Sequence, residues 1–208
     1  EPGRGAAPGD AGNSATTWLA GDISLLSLGV LPEACSRHNS QARPHAIASL
    51  TRRLAVGDGP IAVICALDSS DHAFAAGCAV ARAFSLFSRK TGQNDDERLV
   101  RAAFVAPDDG AIDRQRISAA ADGIRLAARL VDAPTSELHS AAFVDIARES
   151  VARFERVEVN VIEGEALAAG GFGGLWGVGK AATHPPALVI LDYTPEDASP
   201  DSHDVAWV

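Results

Sequence analysis

Residues Gly170–Tyr193, GGFGGLWGVGKAATHPPALVILDY, constrain this chain more than any other stretch. Six glycines surround Phe172, Leu175 and Trp176, and Lys180 follows the last of them. Glycine at that density serves backbone in unusual conformations or in close approach to a neighbour. The Pro185-Pro186 pair stops a helix and starts extended chain, so the expectation is a glycine-rich turn running into a strand over Ala187–Tyr193. Gly174, Gly179 and Lys180 also match the G-x-x-x-x-G-K spacing of a phosphate-binding loop. The surroundings argue against that reading. Glu165–Ala169 is not a hydrophobic strand, Ala181 stands where a magnesium-binding hydroxyl is needed, and the prolines leave no room for a helix facing the anion.

Around this stretch the sequence alternates strand and helix patterns. Residues 1–13 are rich in Gly, Ala and Pro and read as a disordered lead-in. Ile23–Leu31 reads as a buried strand closed by Pro32, and Pro44 suits the first turn of a helix running to about Val56. After the Gly57–Pro60 turn, the unbroken apolar run Ile61–Leu67 reads as a strand buried on both faces. Asp71 is placed to cap a helix with Phe74, Cys78 and Ala81 on one face, ending near Phe87 before a polar loop over Ser88–Glu97. A strand over Leu99–Val105 follows. Asp113 caps a helix whose stripe is Ile117, Ala121, Ile124, Ala128 and Val131, and Gly123 within it implies close packing. Ser140 caps the next helix, the alternation of Val157, Val159 and Val161 marks a half-buried strand, and a short helical piece covers Glu165–Ala169. This order is that of an α/β fold with a mostly parallel sheet.

Charge and composition narrow the partners. A net charge of −9 argues against nucleic acid and acidic membranes, and no apolar run reaches the ~20 residues of a membrane span. Cys35, Cys65 and Cys78 have no C-x-x-C spacing and read as reduced, buried thiols. His38, His45, His72, His139, His184 and His203 contain no i, i+4 pair and no H-E-x-x-H. His184 draws notice as the one beside Lys180 and the glycines. The carboxylates at Asp95-Asp96-Glu97 and at Glu196, Asp197, Asp201 and Asp204 read as solvated loop charge. No G-x-S-x-G is present.

The stretch GFGGLWGVGKAATHPPALVILDYTP, taken with AADGIRLAARLVDAPTSELHSAAFVDIA (Ala120–Ala147), SRHNS (Ser36–Ser40) and ARAFSLFSRKTG (Ala81–Gly92), resembles the leucine, or cytosol, aminopeptidase family and its animal aminopeptidase-like subgroup. The resemblance implies an N-terminal macro-like α/β domain over 14–113, a linker helix over 114–133, and the start of a metallo-aminopeptidase domain over 134–208. It implies peptide substrates, two divalent ions (zinc or manganese), a hexamer and a cytoplasmic location for the intact protein. The family's metal-ligand motifs, a G-K-G segment with Asp-Gly-Gly and N-T-D-A-E-G-R, are absent from this sequence. Lys180 lies in the preceding motif and does not take the family lysine's role. No catalytic, cofactor-binding or metal-ligating residue is therefore expected in the chain, and no bound metal. An incomplete chain is expected from Glu1 in place of methionine and from the apolar run Val205–Val208. The alternative is a non-catalytic α/β interaction or regulatory protein derived from the same fold.

Overall fold

The computed structural model describes residues 13–33, 35, 38, 40–84 and 98–199. The expected lead-in up to residue 12, the helix end at Phe87, the loop 88–97 with its carboxylates, His203, Asp201, Asp204 and the run Val205–Val208 lie outside them. The chain divides into two compact units, residues 1–132 and 133–208. Its architecture is α/β, with β3 and β4 forming a parallel pair and the other two strand pairs antiparallel.

The first unit opens with a hairpin of β1 (Asn13–Trp18) and β2 (Leu25–Val30), registered Asn13 to Val30 and Trp18 to Leu25. β1 has no hydrophobic alternation to announce it. Its β-branched Thr16 and Thr17 suit a pleated strand, and Thr16 Oγ1 lies 3.1 Å from Ser27 Oγ across the pair. β2 is shorter and more open than the buried strand expected: Ile23 precedes it and is 63% exposed, and Leu26 and Leu28 are exposed too. The inner side of β2 is closed by α1 (Pro44–Leu54), whose Leu50 and Leu54 would touch a Cβ at Gly29. α1 begins at Pro44 as expected. Its N-cap, Arg43, holds a left-handed φ of 50°, with its guanidinium donating to the carbonyls of Gln41 and Glu33.

β3 (Ile61–Ala66) and β4 (Val100–Val105) run parallel, in the order strand, helix, strand, with α2 (Ala73–Ala83) between them. The core forms on one side, where Ile47 and Ala48 of α1 meet Ala76, Ala79 and Val80 of α2 over Val63, Cys65 and Phe104. The expectation that β3 is buried on both faces fails: Ile64 is 70% exposed. Alternate residues point to opposite faces, and among the described residues helices α1 and α2 cover one face only. Asp71 does not cap α2. Ser69 accepts the Asp71 N–H at the start of a 3₁₀ turn over Ser70–His72, and Asp108 beyond β4 accepts from the Ser70 N–H at 2.9 Å and from Ser69 Oγ. The buried residues of α2 are Ala73, Ala76, Gly77, Ala79, Val80 and Ala81, so of the expected face Ala81 is buried, Cys78 half-buried and Phe74 exposed. Ala76, Ala79 and Val80 meet α1, and Gly77 meets Ile117 of the next helix.

α3 (Arg114–Asp132) starts as expected, with Asp113 Oδ1 accepting the Arg116 N–H at 2.9 Å. Ile117 is buried against Gly77, and Arg116 stacks 4.8 Å from the Phe74 ring. α3 lies within the first unit. Its stripe is buried at Ile117, whereas Val131 is 84% exposed. Gly123 has open space around it, so the close packing expected there is absent.

Candidate functional site

The second unit holds every residue of the glycine-rich stretch. α4 (Ser140–Val151) packs over an antiparallel pair, β5 (Val157–Glu163) and β6 (Ala187–Tyr193), and α5 (Glu165–Ala169) follows β5 directly. Gly164 turns the chain at φ 59°, its N–H donating to Pro186 O at 2.9 Å. Gly171 turns it again at φ 87°, a conformation costly for any side chain-bearing residue.

Between Gly171 and the prolines the sequence expectation is wrong. Gly173–Gly179 is a helix, α6, not a turn. Four glycines cost such a helix roughly 1 kcal/mol each relative to alanine, so the local sequence disfavours it. Contacts hold it in place. Phe172 N–H donates to Leu167 O at 2.7 Å and Leu167 is fully buried, while Gly179 lies flat against the Pro186 ring, where a Cβ would come within 2.8 Å of its Cγ. Lys180 closes α6, donating its backbone N–H to Trp176 O at 2.9 Å. The amide that a phosphate loop would aim at an anion is thus spent inside the helix, a second reason against that reading.

Two residues 45 apart in sequence meet at the end of this stretch. The imidazoles of His139 and His184 stack with centroids 3.6 Å apart and planes within 3°. His139, not Ser140, caps α4, its Nδ1 accepting the Ala142 N–H at 3.2 Å. Ser140 is freed to donate its hydroxyl to Pro185 O at 2.7 Å. Together these contacts anchor the His184–Pro186 segment to the start of α4 and set where β6 begins. Nothing in the local pattern points to them, because histidine is an uncommon cap and the partner is distant.

The other candidates stay apart. His45 lies in α1 and His72 in the 3₁₀ turn of the first unit. Glu196 pairs with Arg156 at 3.1 Å, beside an open depression of about 420 Å³ that Glu155 and Glu158 also line. Cys35, Cys65 and Cys78 form no disulfide; burial pushes the Cys65 thiol above its ordinary value, and that of Cys78 too, partly offset there by a hydrogen bond with its own backbone. Among the described residues no three His, Cys, Asp or Glu side chains converge to hold an ion, and no helix is long and apolar enough to cross a membrane. These side chains do not fit a dinuclear metal centre.

Residues 13–93 match the M17 aminopeptidase N-terminal domain 2, and residues 125–208 match the catalytic domain of the cytosol aminopeptidase family. A Mus musculus protein, Probable aminopeptidase NPEPL1, is 36% identical over 193 residues, covering 89% of this chain and 36% of its own length. Leucyl aminopeptidase from Trypanosoma brucei superposes with a TM-score of 0.74 at 31% identity, over 89% of this chain and 38% of that one. Leucyl aminopeptidase from Leishmania major shares the fold at a TM-score of 0.81 and 23% identity, over 95% of this chain and 40% of its own. The chain spans little more than a third of the length of the curated relatives it matches. With both domains matched in order over most of its residues, the chain belongs to the M17, or cytosol, aminopeptidase family.

Proposed function

We propose that this chain is the N-terminal scaffold portion of an aminopeptidase that removes N-terminal residues from peptides. The observation that carries the reading is the pairing of the N-terminal and catalytic family domains in one chain. In support, a related Trypanosoma brucei leucyl aminopeptidase, 28% identical, is known in complex with Bestatin. In the intact protein two divalent ions, zinc or manganese, would bind the substrate carbonyl and supply hydroxide near neutral pH. Residues outside this chain would hold them, because the donors described here do not converge. The chain's own part is architectural. The Gly164 and Gly171 turns, the His139 cap and the Ser140–Pro185 bond fix β5 and β6 against α4. A cytoplasmic location and a hexameric assembly complete the reading.

The test compares two proteins with leucine anilide and added manganese. The purified 208-residue chain is expected to give no metal-dependent turnover. A chimera in which it replaces the matching stretch of the mouse relative is expected to release the anilide, and to lose that activity on chelation. Turnover by the 208-residue chain alone would overturn the assignment of the metal ligands to residues outside it.

A further inference from the structure

Asp-Gly occurs three times in this sequence, at Asp58-Gly59, Asp109-Gly110 and Asp122-Gly123. The pair is chemically unstable because the amide nitrogen after an aspartate can attack that aspartate's own side-chain carboxyl, and glycine has no β-carbon in the way. The fold treats the three pairs differently. Asp122 and Gly123 sit inside α3, where helical geometry commits the Gly123 amide to the carbonyl four residues back. Asp109 is held on both sides: Asp108 accepts from the Ser70 N–H and Ser69 Oγ, and Gly110 is pressed against the Ser70 side chain. Asp58 and Gly59 are exposed in the turn between α1 and β3, with nothing within 4 Å of a Cβ built at Gly57 or Gly59. Neither the Asp58 carboxylate nor the Gly59 N–H has a hydrogen-bond partner among the described residues.

We propose that Asp58-Gly59 is a self-modification site, at which the folded chain converts aspartate to isoaspartate and so becomes a substrate for carboxyl methyltransferases that act on isoaspartyl groups. The Gly59 nitrogen bonds to the side-chain carbonyl carbon of Asp58 in its neutral acid form. The carboxyl hydroxyl leaves with the nitrogen's proton as one water, and a five-membered succinimide remains. Water then adds back. Cleaving the bond from nitrogen to the main-chain carbonyl carbon gives isoaspartate, and cleaving the other restores aspartate. The reaction needs no second reagent and no peptidase centre. Its position gives it a structural effect. Isoaspartate adds one atom to the main chain between Val56 and Gly59, and Arg98 bonds both sides of that point, from Nη1 to Ala55 O at 3.1 Å, from Nη2 to Val56 O at 3.3 Å and from Nε to Gly59 O at 2.7 Å. A rigid guanidinium fork does not follow a longer turn, so the end of α1 loosens from the start of β3.

The 208-residue chain is aged at neutral pH, folded and in parallel in denaturing urea. Isoaspartate is read by transfer of labelled methyl from S-adenosylmethionine with an isoaspartyl methyltransferase, and located by peptide mapping with a protease that cuts before aspartate but not before isoaspartate. In urea the three pairs are expected to react at comparable rates. In the folded chain Asp58 should keep most of that rate and Asp109 should slow. Asp122 should slow about tenfold or more, because reaction there waits for α3 to open locally. Gly59→Ala adds a Cβ where there is open space, and should cut labelling at Asp58 several-fold. Aged chain is expected to melt roughly 2 °C or more below fresh chain, a difference that should shrink in Gly59→Ala, which modifies slowly, and in Arg98→Ala, which has no clasp to lose. Labelling of Asp109 or Asp122 in the folded chain as fast as Asp58, the same pattern of rates folded and in urea, or undiminished labelling in Gly59→Ala would overturn the site. An aged chain carrying isoaspartate at position 58 with an unchanged melt would overturn the loosening.

Discussion

Gly77→Ala is the most exacting test of the first unit's packing. Alanine in place of a helical glycine ordinarily stabilises by about 1 kcal/mol. At Gly77 the added methyl would fall inside the van der Waals envelope of Ile117 Cγ2 and reach Phe104 Cζ at 3.4 Å. Cγ2 sits on a β-branched carbon whose χ1 is nearly fixed in a helix, so α3 itself has to move. Overpacking of this kind costs about 1–3 kcal/mol, and the rigidity of Ile117 puts the estimate in the upper half. The net expectation is a loss of about 1–2 kcal/mol, or roughly 2–8 °C in thermal midpoint for a chain of this size. Gly123→Ala supplies the control. It is also helical but has open space, and is expected to stabilise by about 1 kcal/mol. In an Ile117→Ala background, Gly77→Ala should change sign and stabilise, giving a coupling of about 1–3 kcal/mol in the double-mutant cycle. Urea denaturation followed by circular dichroism measures all four. If Gly77→Ala stabilises the otherwise unchanged chain as much as Gly123→Ala does, the close approach of α2 and α3 is not what holds this unit together.

Two further outcomes are expected. Arg98 donates to the carbonyls of Gly59, Ala55 and Val56 at 2.7, 3.1 and 3.3 Å, closing the end of α1 onto the turn before β3; Arg98→Ala should cost about 1–3 kcal/mol, whereas an unchanged denaturation midpoint would show that water replaces those bonds freely. The Ser70 amide, with the Ser69 hydroxyl, holds the Asp108 carboxyl below its ordinary value of 3.8; a depressed folded-state value means a contribution that is complete above 3.8 and lost as the pH falls through the folded value, so Asp108→Ala should flatten the acid limb of the stability profile, and an identical limb in both proteins would rule the carboxylate out as its source.

Much of the fold is legible without coordinates. The helix starts at Pro44 and after the Asp113 cap, the strand expected over Ile61–Leu67 and found over Ile61–Ala66, the strand marked by Val157, Val159 and Val161, and the helix end before Pro134 agree with the structure, because each depends on a short-range rule: a fixed proline φ, a capping carboxylate, a short apolar run or apolar alternation. The errors fall where a distant partner overrides the local preference. Strand β1 is polar and forms because β2 pairs with it. The buried residues of α2 are set by α1 and α3 together, and α4 is capped by His139 while the Ser140 hydroxyl donates to Pro185 O.

The glycine-rich stretch shows the division most plainly. Its sequence by itself determined family membership and the strand that follows the prolines, since proline geometry is a property of single residues. Only the tertiary structure decided that Gly173–Gly179 is helical, because the groups that stabilise it, Leu167 below and Pro186 alongside, come from either side of the segment. Propensity is a preference of about 1 kcal/mol per residue, and buried contacts from outside a segment can outweigh it.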